Sequence, residues 1–325
     1  MKMHPFIFEP RFKDRVWGGH ELFHLYQKCI PHDGPTGESW EISDRPGDES
    51  VVRNGPMAGK SLRWLMENRP AELLGKARPT PEGRFPLLCK ILDARDKLSL
   101  QVHPPKSKAV ELGGEPKTEM WYIAHAAPNA ELYAGLKNGV TKSEFERKIA
   151  DGTVADCFHR IAVTQGDTLF LPSGRVHAIG AGLVIFEIQQ NSDTTYRVFD
   201  WNRKGLDGRP RDLHIPESLA SIDFGDFEPK LVSTTVKKHG QIQVRELVRD
   251  PLFDVHLWRF PAQATHPTPD CGMQILAVTS GAMTVQYAHG REQLRKGDFC
   301  LLPSCLGESS ITTEEPAECL WVSAH

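Results

Sequence analysis

Residues 98–105 read "LSLQVHPP". The stretch alternates apolar and polar residues, the pattern of a half-buried strand. Side chains at i, i+2 and i+4 of a strand point the same way. Leu98, Leu100 and Val102 therefore share one face, which reads as core. Ser99, Gln101 and His103 share the other. That polar face either meets solvent or lines the inside of a barrel. The rest of the chain bears on the choice.

Most of it reads as further short strands between Gly and Pro turns. Examples are "LCKILDA" (88–94), "MWYIAH" (120–125), "DTLFLP" (167–172) and "LVIFEIQQ" (183–190). "VHLWRF" (255–260), "MQILAVTSG" (273–281) and "AMTVQYA" (282–288) follow. Such spacing predicts a mainly β fold, a sandwich or barrel rather than a parallel α/β sheet. Helical signals are few. "SLRWLMENRPAELLG" (61–75) runs from a Ser cap to a Gly, and Pro70 should split it into two short helices. In "TKSEFERKIADG" (141–152), Thr141 caps with Glu144, Phe145 and Ile149 share a face, and Gly152 closes the helix.

The chain has 325 residues, 39% hydrophobic and 25% charged, which is ordinary for a globular protein. A net charge of −3 excludes a general nucleic-acid binder, because no basic excess is available to neutralise phosphates. Small anions remain possible ligands through a local cationic cluster. No window approaches the run of about 20 apolar residues that spans a bilayer. "MKMHPFIFEPRFKDR" at the start is too interrupted for a signal peptide. The seven cysteines, at 29, 89, 157, 271, 300, 305 and 319, are scattered and contain no CxxC. A reduced, cytoplasmic protein is the expectation, with most thiols acting as small buried hydrophobes.

A polar, turn-rich segment at 224–241 marks a domain junction. Residues 1–235 should form one domain with short helices, and 236–325 a second β-domain. A short repeat joins the two. "QGDTLFLPSGRVHAIG" (165–180) and "KGDFCLLPSCLGESS" (296–310) share Gly-Asp, the spacing from Gly to Pro, and Pro-Ser. The second copy has Cys305 in place of Gly174 and Glu308 in place of His177. A duplicated module with one worn copy would look like this.

Four residues group by strand position. Gln101 and His103 share a face, Glu119 opens "EMWYIAH", and His177 follows a Pro-x-Gly-x-x-His turn. Two His and one carboxylate suit a divalent transition metal, and a Gln oxygen can complete the shell. Arg197 lies among apolar neighbours in "TTYRVFDWNR" and needs a partner, for which an anionic ligand is natural. Lys90 in "PLLCKILDA" should face a wet cavity or a carboxylate.

"RVWGG" (15–19), "GESWEIS" (37–43), "FPLLCKILDA" (85–94), "KLSLQVHPP" (97–105), "PKTEMWYI" (116–123), "PSGRVHAIGAG" (172–182) and "FEIQQNSDTTYRVFDWNR" (186–203) together resemble the type I phosphomannose isomerases. The run 166–177 also resembles the second cupin motif, although position 181 is Ala where that motif usually ends in Asn. The resemblance implies two cupin-type jelly-roll barrels with a few short helices, in the compact bacterial form, the second barrel lacking metal. It implies a zinc ion, one per chain, on Gln101, His103, Glu119 and His177. The implied reaction interconverts mannose 6-phosphate and fructose 6-phosphate through an enediol. Lys117, Glu187 and Arg197 are the catalytic candidates, with Lys90, Arg197, Trp17 and Ser99 for the substrate. The expected partner is a small sugar phosphate, with no nucleic acid or membrane, in a monomer or weak homodimer. The rival is a sugar-phosphate-binding bicupin that senses without turnover. Retention of all four ligand positions together with Lys117, Glu187 and Arg197 weighs against it.

Overall fold

The computed structural model describes residues 2–31, 33–269 and 272–325. Cys271 lies outside the described residues. Of the other cysteines, 89, 157, 300 and 319 are buried, whereas 29 and 305 are exposed.

The fold is mainly β, in antiparallel sheets with short helices. Contacts divide the chain into two compact units. One takes residues 12–39 and 90–232. The other takes residues up to Arg11, then 40–89 and 233–325. The turn-rich segment at 224–241 does hold one crossing, between Val232 and Ser233. Yet residues 40–89 group with the C-terminal strands, so the units are not two consecutive stretches of sequence.

The first unit carries a six-stranded and a five-stranded sheet. The larger runs Thr168–Leu171, Glu119–Ala126, Leu183–Gln190, Leu87–Ala94, Thr36–Ile42, Arg11–Gly19. The smaller runs Tyr196–Phe199, Leu100–Val102, His177–Ile179, Glu131–Leu136, Phe158–Ala162. They share a core: Leu92, Trp121, Ile123, Leu169 and Ile185 from the larger meet Leu132, Ala134 and Ile179 from the smaller. Leu100, Val102, Ala178 and Val198 instead join a second cluster with Phe145 and Phe158. Both faces of the smaller sheet are therefore covered. Leu98 precedes the three-residue strand and joins the first cluster, so it parts company with Leu100 and Val102.

Helix Lys142–Ala150 supplies that outer cover. Thr141 Oγ1 accepts from the Glu144 N–H at 3.2 Å, and Phe145 is fully buried. Burying such a side chain is worth about 1.5–3 kcal/mol. Close strand approach is bought by glycine: a Cβ on Gly37 would lie 2.6 Å from the Arg15 Cβ and 2.7 Å from the Trp17 ring.

The second unit has a six-stranded sheet and a four-stranded sheet over one apolar core. Its helices Leu62–Asn68 and Pro70–Leu74 break at Pro70 as expected, with Ser61 Oγ accepting from the Trp64 N–H at 3.0 Å. The sequence repeat is structural. Strand Thr168–Leu171 pairs Leu171 with Glu119, and strand Phe299–Leu302 pairs Leu302 with Gln274. Gln274 thus stands in its unit where Glu119 stands in the first, and Glu308 is exposed. Among the described residues no helix is long and apolar enough to cross a membrane.

Candidate metal centre and adjoining cleft

Strand pairing explains why the polar face of 98–105 turns inward. Gln101 lies opposite His177 on one side and Arg197 on the other. Directly paired residues project to the same face. Across the core, Glu119 pairs with Gln189 and Trp121 with Glu187, so alternation aims Glu119, Trp121, Glu187 and Gln189 the same way.

His103, Glu119 and His177 converge there, all buried, with their ligand atoms within 4.8 Å of one another. His103 Nε2 is 3.7 Å from Glu119 Oε2, and His177 Nε2 is 3.4 Å from Oε1. The opposite ring nitrogens meet backbone carbonyls: His103 Nδ1 lies 2.7 Å from Thr194 O, and His177 Nδ1 lies 2.9 Å from Arg175 O. A carbonyl only accepts, so each Nδ1 carries the proton and each Nε2 presents a lone pair to the centre. Burial, reinforced by Lys117 and His177, holds His103 well below the usual imidazole range. Burial likewise pushes His177 down to about 3. Both rings are neutral, as a metal requires.

Glu119 has the opposite problem. Burial first, and then the Glu187 charge, raise it to about 7 against the opposing pull of Lys117. Lys117 Nζ lies 2.7 Å from Oε2, but neither carboxylate oxygen receives an aligned hydrogen bond. Lys117 reaches only Oε2, so Oε1, 3.4 Å from the His177 lone pair, still wants a cation, and a divalent metal fits that want. Gln101 stands beside this triad with its Nε2 3.3 Å from His177 Nε2 and its Oε1 3.4 Å from Ser99 Oγ. Its amide nitrogen, rather than its oxygen, is turned to the imidazole.

The proton on Glu119 gives a testable pH dependence. Metal binding needs the carboxylate ionised, and its raised pKa means protons compete below about 7. The imidazoles do not compete in that range, since His177 titrates only near 3. Metal affinity of chelator-stripped protein should therefore rise from pH 6 towards pH 8 and then level, as calorimetry would read. A flat affinity over that range would mean Glu119 is already ionised without metal.

Gln101, Ser99 and Lys117 also line an open cleft of about 600 Å³. Trp17, Lys90, Glu187 and Arg197 line it as well, so every residue assigned to substrate or catalysis from sequence is brought together. Trp17 both walls the cleft and packs in the core. Lys90 meets carboxylates: its Nζ is 3.3 Å from Glu187 Oε1 and 3.8 Å from Glu38 Oε2. Arg15 Nε closes the row at 2.7 Å from Glu38 Oε1. Trp121 Nε1 donates to Glu187 Oε2 at 2.9 Å. Burial would raise Glu187, but Lys117 and Lys90 outweigh it and hold the carboxyl below its usual range. Lys117 is held charged, because Glu119 and Glu187 outweigh the burial that would lower it. Arg203, in contrast, is absorbed by Asp200 at 2.9 Å and Asp96 at 3.4 Å. Sequence reasoning missed Arg15, Glu38, Trp121 and Arg211, all but Trp121 lining the cleft. Nothing local in "GESWEIS" singles out Glu38.

The fold and centre define a β-sheet protein with a His/Glu/His metal-type site beside a cleft lined by charges of both signs, and comparison with known proteins places it further. The phosphomannose isomerase type I catalytic-domain model matches residues 6–116. A mannose-6-phosphate isomerase of Streptococcus mutans is 37% identical over 328 residues, 97% of this chain and 99% of the relative. Mannose-6-phosphate isomerase ManA of Bacillus subtilis is also 37% identical, over 98% of this chain and 99% of the relative. The crystal structure of a Bacillus subtilis mannose 6-phosphate isomerase superposes with a TM-score of 0.90 at 32% identity, covering 98% and 99% of the two chains. The chain belongs to the type I phosphomannose isomerase family.

Proposed function

We propose that this chain is a zinc-dependent isomerase interconverting D-mannose 6-phosphate and D-fructose 6-phosphate through an enediol. The observation that carries the reading is the buried His103–Glu119–His177 centre opening, through Gln101 and Lys117, on a cleft that holds Glu187 and Arg197. His103, Glu119 and His177 would hold the metal, and Gln101 would join them through its oxygen once its amide turns over. When bound, Zn²⁺ there polarises sugar oxygens and stabilises negative charge that develops on them. One metal per chain is expected, because Gln274 and the exposed Glu308 replace Glu119 and His177 in the second unit.

Isomerisation removes the C2 proton of the open-chain aldose and returns a proton to C1, while the hydroxyl proton leaves O2 and O1 gains one. Glu187 is the better base: Lys90 and Lys117 keep it ionised, and Trp121 occupies only Oε2, leaving Oε1 for the proton. Lys117 remains an ammonium and serves as the cation beside the developing oxyanion. Arg197 holds the phosphate. A coupled assay of mannose 6-phosphate conversion, with and without chelator, tests the reading. Binding of the sugar phosphate without turnover would leave the sensor instead.

Arg197→Lys isolates the phosphate role. A guanidinium matches two phosphate oxygens with paired donors, which an ammonium cannot reproduce. Charged hydrogen bonds are worth about 1.5–3 kcal/mol each, roughly 10- to 150-fold per bond. kcat/KM for mannose 6-phosphate should fall on that scale, while unphosphorylated mannose, a poor substrate at best, should be affected much less. Equal proportional losses would place Arg197 at the reacting end of the site.

A further inference from the structure

We propose that the second unit binds an uncharged hexose in a cavity of its own, at the place where the first unit carries the His/Glu/His centre. None of its residues lines the isomerase cleft, and neither reading depends on the other.

The strands of this unit change character at one end. Val278 and Leu276 lie in the apolar core, and the next residue on their face is Gln274. Met283 and Val285 likewise give way to Tyr287, and Ile311 gives way to Ser309. Tyr287 pairs with Ser309, and Gln274 with Leu302. All four line a cavity of about 700 Å³, a size that suits a small molecule. Gln274 holds the place of Glu119, while Leu306 and Glu308 hold those of Arg175 and His177. Leu306 and Glu308 line the same cavity. The duplicated unit has therefore lost the ligand set and kept an opening where that set would stand.

The lining selects the ligand. Among the described residues around this cavity there is no Lys, Arg or His, and Glu308 is the sole carboxylate. A phosphate ester would find no cation there, whereas the first unit's cleft offers Arg15, Lys90, Lys117 and Arg197. What remains is neutral and two-sided. Thr268, Ser309 and Gln274 supply hydroxyls and an amide, set against Leu302, Leu306 and the Tyr287 ring. A hexose has the matching halves, C–H groups on the faces of its ring and hydroxyls around the edge. Part of the site is fixed in advance. Gln274 is buried, and its Nε2 donates to Pro269 O. The Thr268 and Ser309 hydroxyls lie 2.6 Å apart, and the Thr268 N–H donates to Ser309 O at 2.9 Å. Paired hydroxyls keep lone pairs for a ligand's O–H groups, and their fixed positions lower the ordering cost of binding. Glu308 adds an acceptor for sugar hydroxyls and repels an anion.

The test is a titration of metal-loaded, full-length protein with D-mannose, D-glucose and D-fructose, followed by NMR at the side-chain amides of Gln274 and Gln286. At least one sugar should bind with a Kd of about 1–10 mM, the scale for a small polar ligand in an open pocket. Gln274→Leu should weaken that binding about 10-fold, the scale of one or two lost neutral hydrogen bonds. kcat and KM for mannose 6-phosphate should stay at their wild-type values in this variant. Inorganic phosphate should leave both amides unshifted. If Gln274→Leu does not fold, Glu308→Ala decides: hexose binding about 10-fold weaker supports the site, and wild-type affinity overturns it. Failure of all three sugars to shift either amide would also overturn it, as would phosphate shifting them as strongly. So would hexose binding that survives in Gln274→Leu and disappears in Trp17→Ala, which would seat the sugar in the first unit's cleft.

Discussion

His103→Ala is expected to strip the metal and lower kcat by at least about 10³-fold, since metal stabilisation of developing charge is worth several kcal/mol. The ring cannot be spared. Among the described residues it supplies one of the two imidazole lone pairs in the centre, and its Nδ1–H is anchored on Thr194 O at 2.7 Å. Its removal also leaves Glu119 with Lys117 as its nearest cation, at 2.7 Å. That pair would persist and bias the emptied centre against refilling. Metal analysis of the purified variant, alongside its turnover, is the measurement. Glu308→Ala is the matched control in the second unit and should leave both readings largely intact. Wild-type protein carrying two equivalents of metal, or a His103→Ala variant that keeps one equivalent and most of its activity, would sink the one-centre assignment.

How much of this was legible in the chain differs by kind of signal. Alternation in "LSLQVHPP" grouped Ser99, Gln101 and His103, and the structure turns all three inward, because both faces of that small sheet are covered. Strand identity for 88–94, 120–125 and 183–190 was equally plain, since each run has few turn formers. Periodicity could not show the helices Glu21–Tyr26 and Ile215–Ser221, which are six and seven residues long, fewer than two full turns. The cleft residues Arg15 and Glu38 were hidden for another reason. Each is an ordinary charge in its own segment, and their 2.7 Å contact depends on two strands that Gly37 allows to close up. Arg211 sits in a turn-rich stretch with no period at all, and the bond from Arg197 Nη1 to the carbonyl of its neighbour Asp212 returns it to the site. Long-range pairing, not local propensity, made those residues functional. The same holds for residues 40–89, which group with strands near the C-terminus although nothing in their composition announces it.

Glu187→Gln should lower kcat by about 10²-fold or more while the metal stays bound, on the usual scale for a lost general base. The substitution preserves size and leaves an oxygen to accept from Trp121 Nε1, so the side chain should keep its place. What it loses is the basic Oε1 beside Lys90. In the wild type, carbon-bound hydrogen should exchange with solvent during turnover, because a carboxylate on an open cleft can trade its proton with water between removal and return. Lys117→Ala should also cost about 10²-fold, through a different route that pH exposes. Lys117 is the larger of the two charges that hold Glu187 below its usual range. Without it the Glu187 pKa rises, the base becomes protonated at higher pH, and the acid limb of the kcat profile moves up. Glu187→Gln should instead flatten that limb. Near-normal kcat in both variants would show that neither residue moves the proton, and an acid limb unmoved in Lys117→Ala would assign that limb to a group other than Glu187.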